Sequence, residues 1–142
     1  MKTVLNKKEQ HDVLMKKVGE EVIYHYPDKR NESMTLDPKT GKFMLKGKLE
    51  YRHALEVHDY NSVVYWHLVD LIRFEGETEL WFRVTYYRYL QRKLKWVYAG
   101  QTSLSSPVSN FVKLFVGTIK ESEGFRQLFK EICKECSKEL DL

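Results

Sequence analysis

The side chains with the most chemical potential in this chain are two cysteines, Cys133 and Cys136, spaced Cys-x-x-Cys, and five histidines, His11, His25, His53, His58 and His67. A Cys-x-x-Cys pair can carry out thiol–disulfide exchange or supply half of a zinc site. Reactive thiolates are favoured at helix N-termini, whereas these two fall near the end of a helical pattern, where the macrodipole opposes ionisation. Cys136 lies on the apolar stripe of that pattern with Cys133 beside it, which predicts buried structural thiols. A zinc site would need two further ligands and there is no second cysteine pair, so neither a metal nor a cofactor is expected.

Among the histidines, His58 beside Asp59 at a turn, or His67 on a sheet face, has the chemistry of a general base. His53 and His58 fall on opposite sides of one regular strand, so they can share a metal only if a bulge separates them. No nucleophile elbow, phosphate-cradling Gly-rich loop or metal-binding helix motif accompanies them. No residue is therefore assigned as catalytic, and enzyme activity is left open. Asp70 and Arg83 read as a cross-strand ion pair.

These residues depend for their placement on a run of β-branched and aromatic residues between positions 62 and 102, which reads as three antiparallel strands at 63–74, 80–90 and 94–98. The turns are Glu75-Gly76-Glu77-Thr78 and Gln91-Arg92. The first turn sets Asp70 opposite Arg83, Trp66 opposite Tyr87 and His67 opposite Tyr86. A two-residue second turn sets Tyr87 opposite Trp96, Tyr86 opposite Val97 and Val84 opposite Ala99. With a period of two, one face gathers Tyr65, His67, Val69, Leu71, Phe82, Val84 and Tyr86. The other gathers Trp66, Leu68, Asp70, Ile72, Trp81, Arg83, Tyr87, Tyr89, Trp96 and Tyr98.

Around this meander, Asn6 and Glu9 form a capping box ahead of a helix at 7–18 closed by Gly19. A short strand follows at 21–26, and Asp37-Pro38-Lys39-Thr40-Gly41 forms a hairpin turn. A long extended segment then has Leu49, Tyr51, His53, Leu55 and Val57 alternating with polar residues, and Gly47 marks a bulge or bend. Ser106 and Pro107 suit the start of an apolar helix, and a second amphipathic helix follows a break at Gly124. The expectation is one α+β domain over residues 1–142. It has a curled antiparallel sheet of four to six strands, an N-terminal helix, and two C-terminal helices packed on one face.

At 142 residues and a formal charge of +4, the chain can bury a core without disulfides. No apolar run reaches the roughly 20 residues of a membrane span, and the start lacks the apolar core of a signal peptide, so a cytoplasmic protein is expected. Acids predominate from 49 to 80 and are absent from 81 to 120; either adjacent strands of opposite sign neutralise each other, or the second stretch forms a basic surface that meets an acidic partner.

The aromatic face has two readings. It is the core if helices cover it. If it is open, it is a platform for protein contact, including a homodimer or an acidic protein partner, or for stacking single-stranded nucleic acid. The binding residues would be Trp66, Trp81, Arg83, Tyr87, Tyr89 and Trp96. An alternative of a different class is a small apolar ligand-binding protein or enzyme with a pocket between sheet and helices, lined by Tyr65, His67 and Tyr86.

Overall fold

The computed structural model describes residues 3–98 and 104–140. The chain divides into two compact units, Met1–Pro107 and Val108–Leu142. The first contains helix α1 (Lys7–Met15) and strands β1 (Glu21–Tyr26), β2 (Thr35–Leu36), β3 (Phe43–Tyr60), β4 (Val63–Phe74), β5 (Trp81–Leu90), β6 (Lys95–Tyr98) and β7 (Leu104–Pro107). The second contains helices α2 (Val108–Glu121) and α3 (Glu123–Leu140).

In the first unit the strands form one curled, antiparallel, seven-stranded sheet in the order β1-β3-β4-β5-β6, with β2 beside β3 and β7 beside β5. The expected capping box starts α1: Asn6 Oδ1 accepts from the Glu9 amide at 2.8 Å, and Glu9 Oε1 accepts from the Asn6 amide at 2.9 Å. The helix ends earlier than its apolar pattern, at Met15, and Gly19 takes φ +92° in the turn that follows. At the predicted hairpin Gly41 takes φ +70°, and its amide donates to the Asp37 carbonyl at 2.8 Å.

The pairing of β4 with β5 is as the sequence implies, with Asp70 opposite Arg83, Trp66 opposite Tyr87 and His67 opposite Tyr86. The next pairing differs. The turn after β5 spans four residues and ends on Leu94 at φ 50°, so Tyr87 faces Tyr98, and Tyr89 faces Trp96. A slip of two residues changes partners and preserves faces, because side-chain parity has period two. Val84 pairs with Leu104 of β7; Ala99, its expected partner, lies outside the described residues.

Strand β3 departs most from its sequence pattern. Its register against β4 shifts between Leu49 and Tyr51 and again between Glu56 and His58. Each shift is a one-residue bulge, which reverses the facing of everything beyond it. Between the two, Arg52 and Ala54 turn inward and Tyr51, His53 and Leu55 turn out and are exposed. Gly47, where the bulge was expected, pairs regularly with Val22 and Phe74. It must be glycine for another reason: a Cβ there would collide with the Arg73 carbonyl and lie 2.8 Å from Phe74 Cδ1.

The inward face of the sheet and α1 form the core of the first unit. One apolar cluster joins Leu14 of α1 to Ala54, Val64, Trp66, Leu68 and Tyr89, and a second joins Met34, Leu45, Leu49, Ile72, Phe74 and Trp81. In the second unit, the Ser122 side chain accepts from the Phe125 amide at 3.1 Å and so caps α3. The helix break thus falls at Ser122 rather than Gly124. Phe115 stacks on Phe111 and on Phe125, each at 6.3 Å between ring centroids. Cys133 and Cys136 are free and exposed, contrary to the expected burial: the α3 stripe that carries them, with Leu128, Phe129 and Ile132, is itself exposed. No helix among the described residues is long and apolar enough to cross a membrane.

Candidate functional site

Where the two apolar clusters part, the inward face is charged. Arg52, Asp70 and Arg83 are directly paired positions on β3, β4 and β5, a row running straight across the sheet. All three are buried, at 3 %, 0 % and 7 % exposure. Asp70 accepts at Oδ1 from Arg52 Nε (2.8 Å) and at Oδ2 from Arg52 Nη2 (3.1 Å), Arg83 Nε (3.0 Å) and Arg83 Nη2 (2.8 Å). Fork-to-carboxylate pairs of this kind are strong and directional.

The two guanidinium groups are held from behind as well. Arg52 Nη1 donates to the Leu14 carbonyl at 3.1 Å, in the last turn of α1, where the helix dipole favours a cation. Arg83 Nη1 donates to the Tyr24 hydroxyl at 3.2 Å, and that hydroxyl lies 3.0 Å from Ser105 Oγ. Burial works to lower the Arg83 pKa, but Tyr24, Tyr98 and Asp70 outweigh it and raise it, so the guanidinium stays charged. The Arg52 guanidinium also sits 5.7 Å from the Tyr87 ring centre.

A cleft of about 240 Å³ opens onto both arginines, lined also by Lys17, Glu20, Glu21, Val22, Leu49, Tyr87 and Tyr98. Tyr87 and Tyr98 make one wall, with ring centroids 4.8 Å apart. A larger cleft of about 490 Å³ includes Val18, Gly19, Gly47, Leu49, Phe74 and Gly76 in its lining, and shares Leu49 with the first. Residues 19 and 20 run alongside β3 at that point, with the Gly19 amide donating to the Leu49 carbonyl at 2.7 Å and the Leu49 amide to the Glu20 carbonyl at 3.0 Å.

The expected platform residues share the inward face, but most are spent on the core. Trp66 is 4 % exposed and donates Nε1–H to Gln10 Oε1 of α1 at 2.9 Å. Trp81 is 8 % exposed and donates to Glu77 Oε1 at 3.1 Å. The buried Tyr89 accepts at its hydroxyl from the Leu5 amide at 3.1 Å. Tyr87 and Trp96 are half-buried and packed against the first cluster. A ring already packed on both sides has no free face for a base, so Trp66, Trp81, Tyr89 and Arg83 do not form an open stacking surface. Tyr65, His67 and Tyr86 are neighbours on the outer face, Tyr86 lying 6.3 Å from Tyr65 and 6.1 Å from His67. They line neither cleft.

The bulge that His53 and His58 would need lies between them. Even so, among the described residues no group of three His, Cys, Asp or Glu could hold a metal.

Sequence reasoning found Asp70 and Arg83 and put Tyr98 on their face, but missed Arg52 and Lys17. A buried carboxylate has room for about four donors, and one arginine leaves it short; that deficit was the available signal for a second cation from the neighbouring strand. No protein-family model, curated protein or solved structure matches this chain.

Proposed function

We propose that the first unit is a non-enzymatic binding domain that takes up a small molecule on the inward side of its sheet. The observation that carries this reading is a cleft of about 240 Å³ that reaches two buried, oriented guanidinium groups between the apolar clusters, and shares Leu49 in its lining with a second cleft of about 490 Å³. Ligand sites are typically concave, largely apolar, of about 300–1,000 Å³, with a few fixed polar groups. The larger cleft has that size, and the smaller one supplies the fixed polar groups. The test is a screen of small soluble fragments against the full chain by amide NMR. Chemical-shift changes clustered at Val22, Leu49, Tyr87 and Tyr98 are expected; a screen with no hit there overturns the reading.

A second reading, self-association, is favoured by the outer face. Tyr51, Leu55, Val57 and Val84 are exposed there, and the stretch formed by Tyr65, His67, Val69, Leu71, Phe82, Val84 and Tyr86 contains no acid, lysine or arginine. Arg88 lies opposite Tyr65 at one end of the stretch, but the stretch itself can meet a second copy without like-charge repulsion and offers little to a nucleic acid or an acidic protein. Sedimentation across a concentration series tests it. A Val84→Glu chain should remain monomeric where the parent dimerises; a parent that stays monomeric at all concentrations removes this reading.

A further inference from the structure

We infer that Arg52 and Arg83 form the receptor for a singly charged carboxylate whose flat apolar body lies against Tyr87 and Tyr98. This assignment rests on the reading of the first unit as a small-molecule binder and names the ligand class of that site.

The first ground is charge. Two guanidinium groups against one carboxylate leave the buried row with one positive charge in excess. Excess charge out of water is costly unless a counter-ion meets it. The second ground is donors. Each guanidinium has five N–H groups in a planar fork. Among the described residues, Arg52 uses three, two on Asp70 and one on the Leu14 carbonyl. Arg83 uses three as well, two on Asp70 and one on Tyr24. Each therefore retains unused N–H capacity on its outer nitrogens, and both line the same cleft. Asp70 fixes the two forks in place before any ligand arrives, so little conformational entropy remains to be lost on binding.

The rim restricts the class. Lys17 at the mouth is already 3.5 Å from Glu20, and Glu21 lines the same opening. With Lys17 paired to Glu20, the entrance keeps one net negative charge, which opposes a phosphate dianion or polyphosphate more strongly than a single carboxylate, and the planar carboxylate also matches the arginine forks. The tyrosine pair and Val22 and Leu49 supply an apolar wall suited to a ring or short chain next to that carboxylate.

Benzoate, benzyl alcohol and inorganic phosphate serve as probes in titration calorimetry on the full chain. Benzoate should bind about tenfold or more tightly than benzyl alcohol, since a hydrogen bond to a charged partner is worth that factor, and phosphate should bind more weakly than benzoate. Tyr98→Ala, at an exposed position, should weaken benzoate without loss of folding; Arg83→Lys, which keeps the charge but not the fork, should weaken it further. If benzyl alcohol binds as well as benzoate, the carboxylate assignment falls and the small-molecule reading stands. Phosphate binding more tightly than benzoate, or Tyr98→Ala leaving benzoate affinity unchanged, also overturns the assignment. If none of the probes binds and the fragment screen is also empty, both fall together.

Discussion

The inward face of the sheet carries a carboxylate and two arginines and is nonetheless the core, while the outer face is smooth and uncharged between Tyr65 and Leu71 and between Phe82 and Tyr86 and has exposed Leu55 and Val84. What decides is size and partnership. The inward face holds the three tryptophans and Tyr89, whose rings fill the hollow of a curled sheet, and the polar tips of Trp66, Trp81 and Tyr89 find partners on Gln10, Glu77 and the Leu5 amide. A charge can be buried when its hydrogen bonds are complete, as those of Asp70 are, and an apolar side chain can stay exposed at small cost. The contrast teaches that charged groups do not keep a face from becoming the interior when their hydrogen bonds are complete.

The contrast is broken most severely at Asp70. Asp70→Ala strands two buried guanidinium groups and should destabilise the first unit by about 3–5 kcal/mol, as for other buried pairs that lose one partner; urea denaturation measures it. Gly47→Ala comes next, because its methyl group must displace the Arg73 backbone and the Phe74 ring, and about 1–3 kcal/mol is expected from overpacking. Asn6→Ala removes the capping box that anchors α1 over the inward face and should cost about 1 kcal/mol. On the outer face, Leu55→Ser should alter stability by about 0.5 kcal/mol or less, as is usual for exposed positions. An outer-face loss as large as that at Asp70 would show that the roles of the two faces have been misread.

The smallest effect concerns pH, away from both faces. The Asp37 carboxylate is held below its ordinary value of 3.8, first by the Lys39 backbone amide, with burial opposing and Thr40 and His25 adding to the depression. A depressed carboxylate contributes stability that is present above its unfolded pKa and is lost as pH falls through the folded value. The melting temperature should therefore fall less steeply below about pH 4 in Asp37→Asn than in the parent chain. Identical acid limbs for the two would remove Asp37 as a contributor.

Much of the fold was legible because its signals are local. The capping box at Asn6, the turn at Asp37–Gly41 and the alternation along β4 and β5 are each set within a few residues. The site was half legible for the same reason: Asp70 and Arg83 face each other across one short turn, so their pairing follows from counting. Arg52 was not legible. In an unbroken β3 it sits opposite Leu71 and faces outward, and His53 takes its place on the inner side. Only the bulge after Glu56 reverses that order, and the one after Leu49 restores the original facing beyond it.

The sequence by itself determined which side chains share a side within β4 and within β5, since tetrahedral carbon and a pleated backbone leave no other option. The three-dimensional structure alone decided which of those sides became interior and which arginine joined Asp70. A bulge exchanges one strand register for another of nearly equal local energy, and the choice is made by distant demands: a carboxylate short of donors, a glycine pressed against its neighbour, and a helix end that accepts a cation.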